Sequence, residues 1–97
     1  MKGLKMISEY KKFYNMIDRF PRVAYLWDRK SHNLDVDAFE NDLGVMSSGE
    51  VFMAKFFASV WFNRNERYGF DIIDRWWVLD QDSKQIVLDW LADPFYP

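Results

Sequence analysis

The chain has 97 residues, of which 49% are hydrophobic and 20% aromatic, and its formal net charge is -2. This length fits a single domain over residues 1–97, and the apolar content excludes a disordered chain. Because there is no cysteine, disulfides, a thiolate nucleophile and cysteine-ligated metal sites are excluded as well. With 5 Trp, 5 Tyr and 9 Phe, the chain has more large rings than so small an interior encloses, so we expect some on the surface.

Charge is unevenly distributed along the chain. Residues 1–30 hold eight basic and three acidic side chains, whereas residues 31–97 hold five basic and twelve acidic ones. The two parts therefore carry net charges of +5 and -7, which sum to the total of -2. Two interpretations are open at this point: the opposite charges face each other between neighbouring helices, or each part serves a separate binding surface.

The first element in the chain is predicted to be a helix over about residues 5–20. Its apolar side chains recur at helical spacing: Ile7, Tyr10, Phe13, Tyr14, Ile17 and Phe20. Pro21 ends this helix and suits the first turn of a following one. Residues 22–30, with the apolar run VAYLW, fit a short helix or an extended segment equally well.

The middle of the chain contains two further predicted helices. The stretch NLDVDAFENDLG reads as a short helix that stops at Gly44. Ser47 and Glu50 then form a capping-box pattern ahead of an apolar run that reaches Phe62. A helix that is apolar nearly all round is surrounded by other helices, so we expect the helix at about 50–62 to be central.

Two last helices are predicted at about residues 70–79 and 82–92, with Asp80 as the cap of the second. A helical wheel places Trp76 in the middle of an apolar arc with Ile72, Ile73 and Leu79, and Trp77 at its rim. In the final helix, Trp90 lies between Ile86, Val87 and Leu91. We therefore expect Trp76 and Trp90 in the core, while the orientation of Trp77 is open.

The C-terminal tail ADPFYP carries an aromatic pair, Phe95 and Tyr96, which we expect to fold back over the core. Together these patterns predict an all-α fold, a compact irregular bundle of five or six short helices around the apolar helix at about 50–62.

The sequence contains no arrangement of residues that is typical of catalysis or of cofactor binding. The single histidine, His32, lies in a polar, turn-like stretch with no plausible nucleophile, so we expect a solvated loop residue. The acidic pairs Asp35–Asp37 and Asp80–Asp82 lack the calcium-loop pattern and suit helix caps. The glycines form no phosphate-binding cluster. We therefore expect no enzyme, no cofactor and no metal.

The predicted location is cytoplasmic. The N-terminus lacks the uninterrupted apolar segment of a signal peptide, and no apolar run approaches the roughly 20 residues that span a bilayer. The absence of cysteine fits a reducing compartment. We therefore expect a soluble protein without a membrane anchor.

The C-terminal third is rich in aspartate and has only two cations between residues 71 and 93. The six carboxylates are Asp71, Asp74, Asp80, Asp82, Asp89 and Asp93. If the last two helices share an exposed face, these residues offer a row of negative charge to a basic partner, with Trp77 as an apolar contact. The predicted partner-binding residues are Asp71, Asp74, Trp77, Asp82 and Asp89.

These features favour a small regulator or inhibitor that binds a larger, basic, nucleic-acid-handling protein complex. In size, charge and lack of catalytic residues the chain is similar to the small acidic helical anti-defence proteins of phages and mobile elements, including anti-CRISPR proteins. One alternative is a homo-oligomeric adaptor or structural module whose extra rings are buried between copies.

The other alternative is a nucleic-acid binder that uses the basic N-terminal helix. Its cations are Lys5, Lys11, Lys12 and Arg19, with Tyr10, Phe13 and Tyr14 available to stack on bases. The acidic remainder of the chain and a pI near 5.3 speak against this alternative.

Overall fold

The structure is a computed structural model that describes the backbone of residues 2–63 and 72–97 and the side chains of residues 8–63, 73 and 75–97. The described chain is mostly helical, which confirms the predicted class. Its elements, in chain order, are α1 (Lys2–Asp18), α2 (Pro21–Ala24), β1 (Trp27–Asp28), β2 (Asn33–Leu34), α3 (Val36–Leu43), α4 (Ser48–Phe62), α5 (Ile72–Arg75), a 3₁₀ turn (Trp76–Val78) and α6 (Gln81–Ala92).

Residues 22–30 combine both of the structures that the sequence allowed. Pro21 occupies the first position of α2, where its missing N–H is not needed. After this single turn the chain extends into β1, which pairs antiparallel with β2, with Trp27 opposite Leu34. Both side chains of that pair are buried, so one face of the short hairpin packs on the core.

Helix α4 begins at the predicted capping box. The Ser47 hydroxyl accepts a hydrogen bond from the Glu50 N–H at 3.2 Å, and the Glu50 carboxylate accepts one from the Ser47 N–H at 2.9 Å. Eight of the 15 residues of α4 are buried. Asn63 ends the helix with a left-handed φ of 55°, a conformation that asparagine tolerates better than most residues.

Three aromatic side chains from three elements form the middle of the core. The ring of Phe13 lies 5.4 Å from that of Trp27 and 6.4 Å from that of Phe57, and the Trp27 and Phe57 rings are also 6.4 Å apart. These distances fall in the favourable range for tilted and edge-to-face ring pairs. This ring triangle therefore joins α1, the hairpin and α4.

The predicted helix at about 70–79 differs from the structure. Residues 70 and 71 and the side chain of Ile72 lie outside the described part, and the described backbone changes from α5 to the 3₁₀ turn after Arg75. Ile73, which the helical wheel places in the apolar arc around Trp76, is 87% exposed. A 3₁₀ turn has about three residues per turn, so a wheel drawn at the α-helical angle misplaces side chains on either side of it.

Asp80 caps the start of helix α6 as predicted, because its carboxylate accepts a hydrogen bond from the Ser83 N–H at 2.8 Å. Ile86 and Val87 are buried, but Leu91, which the helical wheel groups with Trp90, is exposed. The C-terminal tail lies against Trp90: Phe95 packs against the core, and its carbonyl accepts a 3.0 Å hydrogen bond from the Trp90 indole.

Two helix ends also confirm local predictions, each with a detail that the sequence does not show. Asp35 caps α3 by accepting a hydrogen bond from the Ala38 N–H at 3.0 Å. Gly44 follows α3 as predicted, but with a right-handed φ of -67° rather than the left-handed conformation common for glycine at this place.

We expect Phe57→Ala to lower the free energy of unfolding by about 3–5 kcal/mol, because the ring is 0% exposed and removing it opens a cavity among three elements. Urea unfolding followed by circular dichroism measures this loss. The control is Phe62→Ala in the same helix, where the side chain is 39% exposed and less than half the loss is expected. Equal losses in the two variants would contradict the assignment of Phe57 to the core.

Candidate functional site

The predicted acidic residues do not form a row of free carboxylates. Asp89 on α6 accepts a hydrogen bond from the Arg19 guanidinium at 2.9 Å and another from the Gln85 amide at 2.7 Å. The bond from Gln85, followed by that from Arg19, lowers the pKa of Asp89. Arg19 is itself one of the predicted nucleic-acid contacts, so residues from two competing predictions pair with each other.

Asp82 also lies on the side of α6 that faces cations. It is two helical turns from Asp89 and shares its stripe of the helix. With Asp80 it lines a small cavity of about 100 Å³ that is also lined by Arg19 and Arg22. The structure thus favours, for this face, the interpretation in which opposite charges of neighbouring helices meet.

The remaining predicted residues of this surface are described unequally. Asp71 lies outside the described residues, and so does the side chain of Asp74. Trp77 is 72% exposed, which answers the question about its orientation. Ile73 lies four residues before it and is also exposed. We call these two side chains the Ile73–Trp77 pair.

The basic candidates of the N-terminal helix are dispersed. The side chain of Lys5 lies outside the described residues, and Lys12 forms an ion pair with Glu9 at 3.5 Å. Phe13 is fully buried in the ring triangle, so the prediction that it stacks on bases is wrong. Lys11 is exposed, and no carboxylate among the described side chains forms an ion pair with it.

His32 is more constrained than a solvated loop residue, and that prediction is wrong. The Asp28 carboxylate accepts hydrogen bonds from the N–H groups of Lys30 and Ser31, which tightens the hairpin turn. His32 follows with a left-handed φ of 54°. Its half-buried imidazole stacks on the Tyr10 ring at 3.9 Å between centroids, with 6° between the planes.

The second contact of His32 is a hydrogen bond with α1. The Tyr14 hydroxyl lies 2.6 Å from the imidazole Nδ1. Burial, followed by the neighbouring Tyr10, raises the pKa of Tyr14, so the hydroxyl keeps its proton, and the imidazole tautomer decides whether it donates or accepts this hydrogen bond. Sequence reasoning missed this cluster because His32 is 18 residues from Tyr14 in the chain and only the hairpin brings it back. The spacing of Tyr10 and Tyr14, which places both rings on one face of a helix, was the feature of the sequence that could have indicated this cluster.

Two kinds of site are absent from the described part of the chain. Among those residues, no group of three or more His, Asp or Glu side chains is arranged to hold a metal ion. In the same ranges, no helix combines the length and the apolar character needed to cross a membrane.

Comparisons with known proteins add no relative to this picture. No protein-family model matches the chain, and no curated protein and no solved structure is significantly similar to it.

We expect Arg19→Gln to raise the pKa of Asp89 part of the way to its ordinary value of about 3.9, since the bond from Gln85 remains. NMR titration of the side-chain carboxyl carbons measures this change. Because the pKa is lower in the folded state, Asp89 stabilises the fold above its unfolded pKa, and this contribution is lost as the pH falls through the folded value. Arg22→Gln is the control and should leave Asp89 unchanged. An equal effect of both variants would show that the 2.9 Å ion pair does not form in solution.

Proposed function

We propose that this protein is a non-enzymatic regulator that binds another protein through a surface centred on the Ile73–Trp77 pair. The observation that carries this proposal is the exposure of Trp77. The other four tryptophans, all of them described, are buried or half-buried against the core: Trp27, Trp61, Trp76 and Trp90. An exposed indole, four residues after an exposed isoleucine, is the kind of side chain that dominates binding energy when a partner covers it.

Charge supports a basic partner. The C-terminal segment, residues 72–97, has five acidic and two basic side chains, a net charge of -3. Asp82 is exposed and forms no ion pair with any described side chain, although Arg19 and Arg22 line the same cavity, so its carboxylate can steer a cation-rich surface during encounter. Asp89 contributes less, because Arg19 already neutralises it.

The partner class that these features favour is a larger protein with a basic, nucleic-acid-handling surface. A small chain that covers such a surface acts as an inhibitor, which is the mode of action expected of an anti-defence protein. The proposal also includes a bundle in which the other helices pack around α4, which is supported by the buried residues of that helix. It further includes a cytoplasmic location, which is supported by the absence of cysteine.

A second copy of the chain is the alternative partner for the same pair. Two Ile73–Trp77 pairs would then face each other across a symmetric interface. The molar mass in solution separates the two cases, since self-association makes it depend on concentration and on Trp77.

We expect Trp77→Ala to weaken partner binding by about 30-fold or more, the loss of roughly 2 kcal/mol typical of a dominant interface residue. Tagged wild-type protein, Trp77→Ala and the control Val45→Ala, which shortens an exposed apolar side chain in the loop after α3, are used to capture proteins from nuclease-treated host lysate. Mass spectrometry should find one stoichiometric protein that wild type and Val45→Ala retain and Trp77→Ala loses. Equal retention by all three baits would refute a binding surface centred on Trp77.

The electrostatic part of the proposal has its own test with the captured partner. Asp82→Lys should slow association at low salt by several-fold, and the difference from wild type should shrink as salt screens the charges. Asp89→Lys should have the smaller effect, because Arg19 offsets that charge in the wild type. If neither variant changes the association rate at low salt, steering by these carboxylates is wrong and the apolar pair acts alone.

A further inference from the structure

The ring of Tyr14 on α1 and the ring of His32 in the hairpin turn together form one flat surface. The Tyr14 hydroxyl and the His32 Nδ1 are hydrogen-bonded at 2.6 Å, and the planes of the two rings differ by 16°. A hydrogen bond to a ring nitrogen runs near the plane of the imidazole. The phenol and the imidazole therefore lie edge to edge rather than one on top of the other.

Tyr10 covers only part of this surface. Its ring is 3.9 Å from the His32 ring but 6.3 Å from the Tyr14 ring, and all three planes are within 16° of one another. Tyr10 thus overlaps the imidazole far more than it overlaps the phenol. The Arg29 guanidinium lies 5.0 Å from the Tyr14 ring centroid and forms an ion pair with Asp18.

A surface cavity of about 310 Å³ opens beside these rings. It is lined by the three rings together with Lys11 and Asn15 of α1, and Arg29 is not part of the lining. The Lys11 ammonium forms no ion pair, and the Asn15 amide no hydrogen bond, with any of the described side chains. The cavity therefore combines flat aromatic walls with one uncompensated cation and one amide that has donors and acceptors to offer.

We propose that this cavity binds a nucleotide, with the nucleobase stacked on the Tyr14 ring beside Tyr10, its polar edge at Asn15 and its phosphate at Lys11. Stacking on aromatic side chains holds bases of any sequence, and an amide pairs with their donor and acceptor edges. The left-handed backbone of His32 supports the assignment, since residues in such conformations concentrate at functional sites. This site is separate from the Ile73–Trp77 pair and does not depend on the function proposed for it.

The charge at the cavity favours a nucleotide over an aromatic side chain of a protein partner. Among the described residues that line it, Lys11 is the only lysine or arginine, and there is no carboxylate. A ligand with an anionic group attached to a flat ring forms an ion pair with Lys11 and stacks on the aromatic rings at the same time. The ligand is either a free nucleotide or a nucleotide unit of a single-stranded nucleic acid, which present the same chemistry to this cavity.

The chain offers a direct readout, because His32 is its only histidine and its imidazole proton resonances need no further assignment. At constant pH 8, we would titrate the protein with adenosine 5′-monophosphate, with a five-residue single-stranded oligodeoxyadenylate, and with ribose 5-phosphate as a probe without a base. The His32 ring protons should shift in a saturable way with the first or the second probe, from the ring current of the stacked base. Ribose 5-phosphate should leave them nearly unchanged.

Variants test the two halves of the ligand. Lys11→Gln should weaken binding about five-fold, the upper range for an exposed ion pair, while the adjacent Lys12→Gln should leave it unchanged because Lys12 lines a different cavity. Tyr14→Leu should weaken binding about ten-fold or more by removing the stacking face, and Tyr14→Phe, which keeps that face, should restore most of the affinity. Circular dichroism confirms that each variant is folded.

Each outcome decides the matter. Saturation by adenosine 5′-monophosphate supports a free nucleotide as ligand, and saturation by the oligonucleotide alone supports a single-stranded nucleic acid. The proposal is overturned if neither probe shifts the His32 protons, or if ribose 5-phosphate shifts them as much. It is also overturned if a Glu-Trp-Glu peptide shifts these protons and the nucleotides do not.

Discussion

The structure depends on the contact among the rings of Phe13, Trp27 and Phe57. Each ring comes from a different element, so the triangle fixes the hairpin against both α1 and α4. The Trp27 indole N–H is buried and makes no hydrogen bond to the described residues, which costs about 1–3 kcal/mol. The surrounding rings offset this cost by excluding water from a large apolar surface. Because these contacts hold the hairpin against α1, His32 in the hairpin turn lies next to that helix.

The surplus of aromatic residues is divided between the core and two separate surfaces. Most rings pack in the interior or against it, in line with the large aromatic content of so short a chain. The Ile73–Trp77 pair is exposed near the acidic C-terminal segment, whereas the rings beside the cavity lie where the hairpin meets α1. The charges follow the same division, since Lys11 lines that cavity and Asp82 lies near the beginning of α6. The described part of the chain thus presents two surfaces of different chemistry.

Local features were predictable from the sequence, because they depend on neighbouring residues. The capping box of Ser47 and Glu50, the caps of α3 and α6 and the periodicity of α1 are all of this kind. The orientation of Ile73 was not predictable from the sequence, because the change to a 3₁₀ turn depends on how the segment packs. The pair of Arg19 and Asp89 joins residues 70 positions apart. The sequence shows that both residues are charged, but only the fold brings them into contact.

The most direct test of this account is the accessibility of the tryptophan indoles, since it separates the core from the proposed surface without a partner. The five indole N–H signals of the 15N-labelled protein are recorded with increasing amounts of a soluble paramagnetic agent, and Trp77→Phe assigns the signal of Trp77. The account predicts the strongest broadening for Trp77 and the weakest for Trp27, which is buried in the ring triangle. A protected Trp77, or a Trp27 broadened as strongly, would contradict the division of aromatic residues on which the proposed function rests.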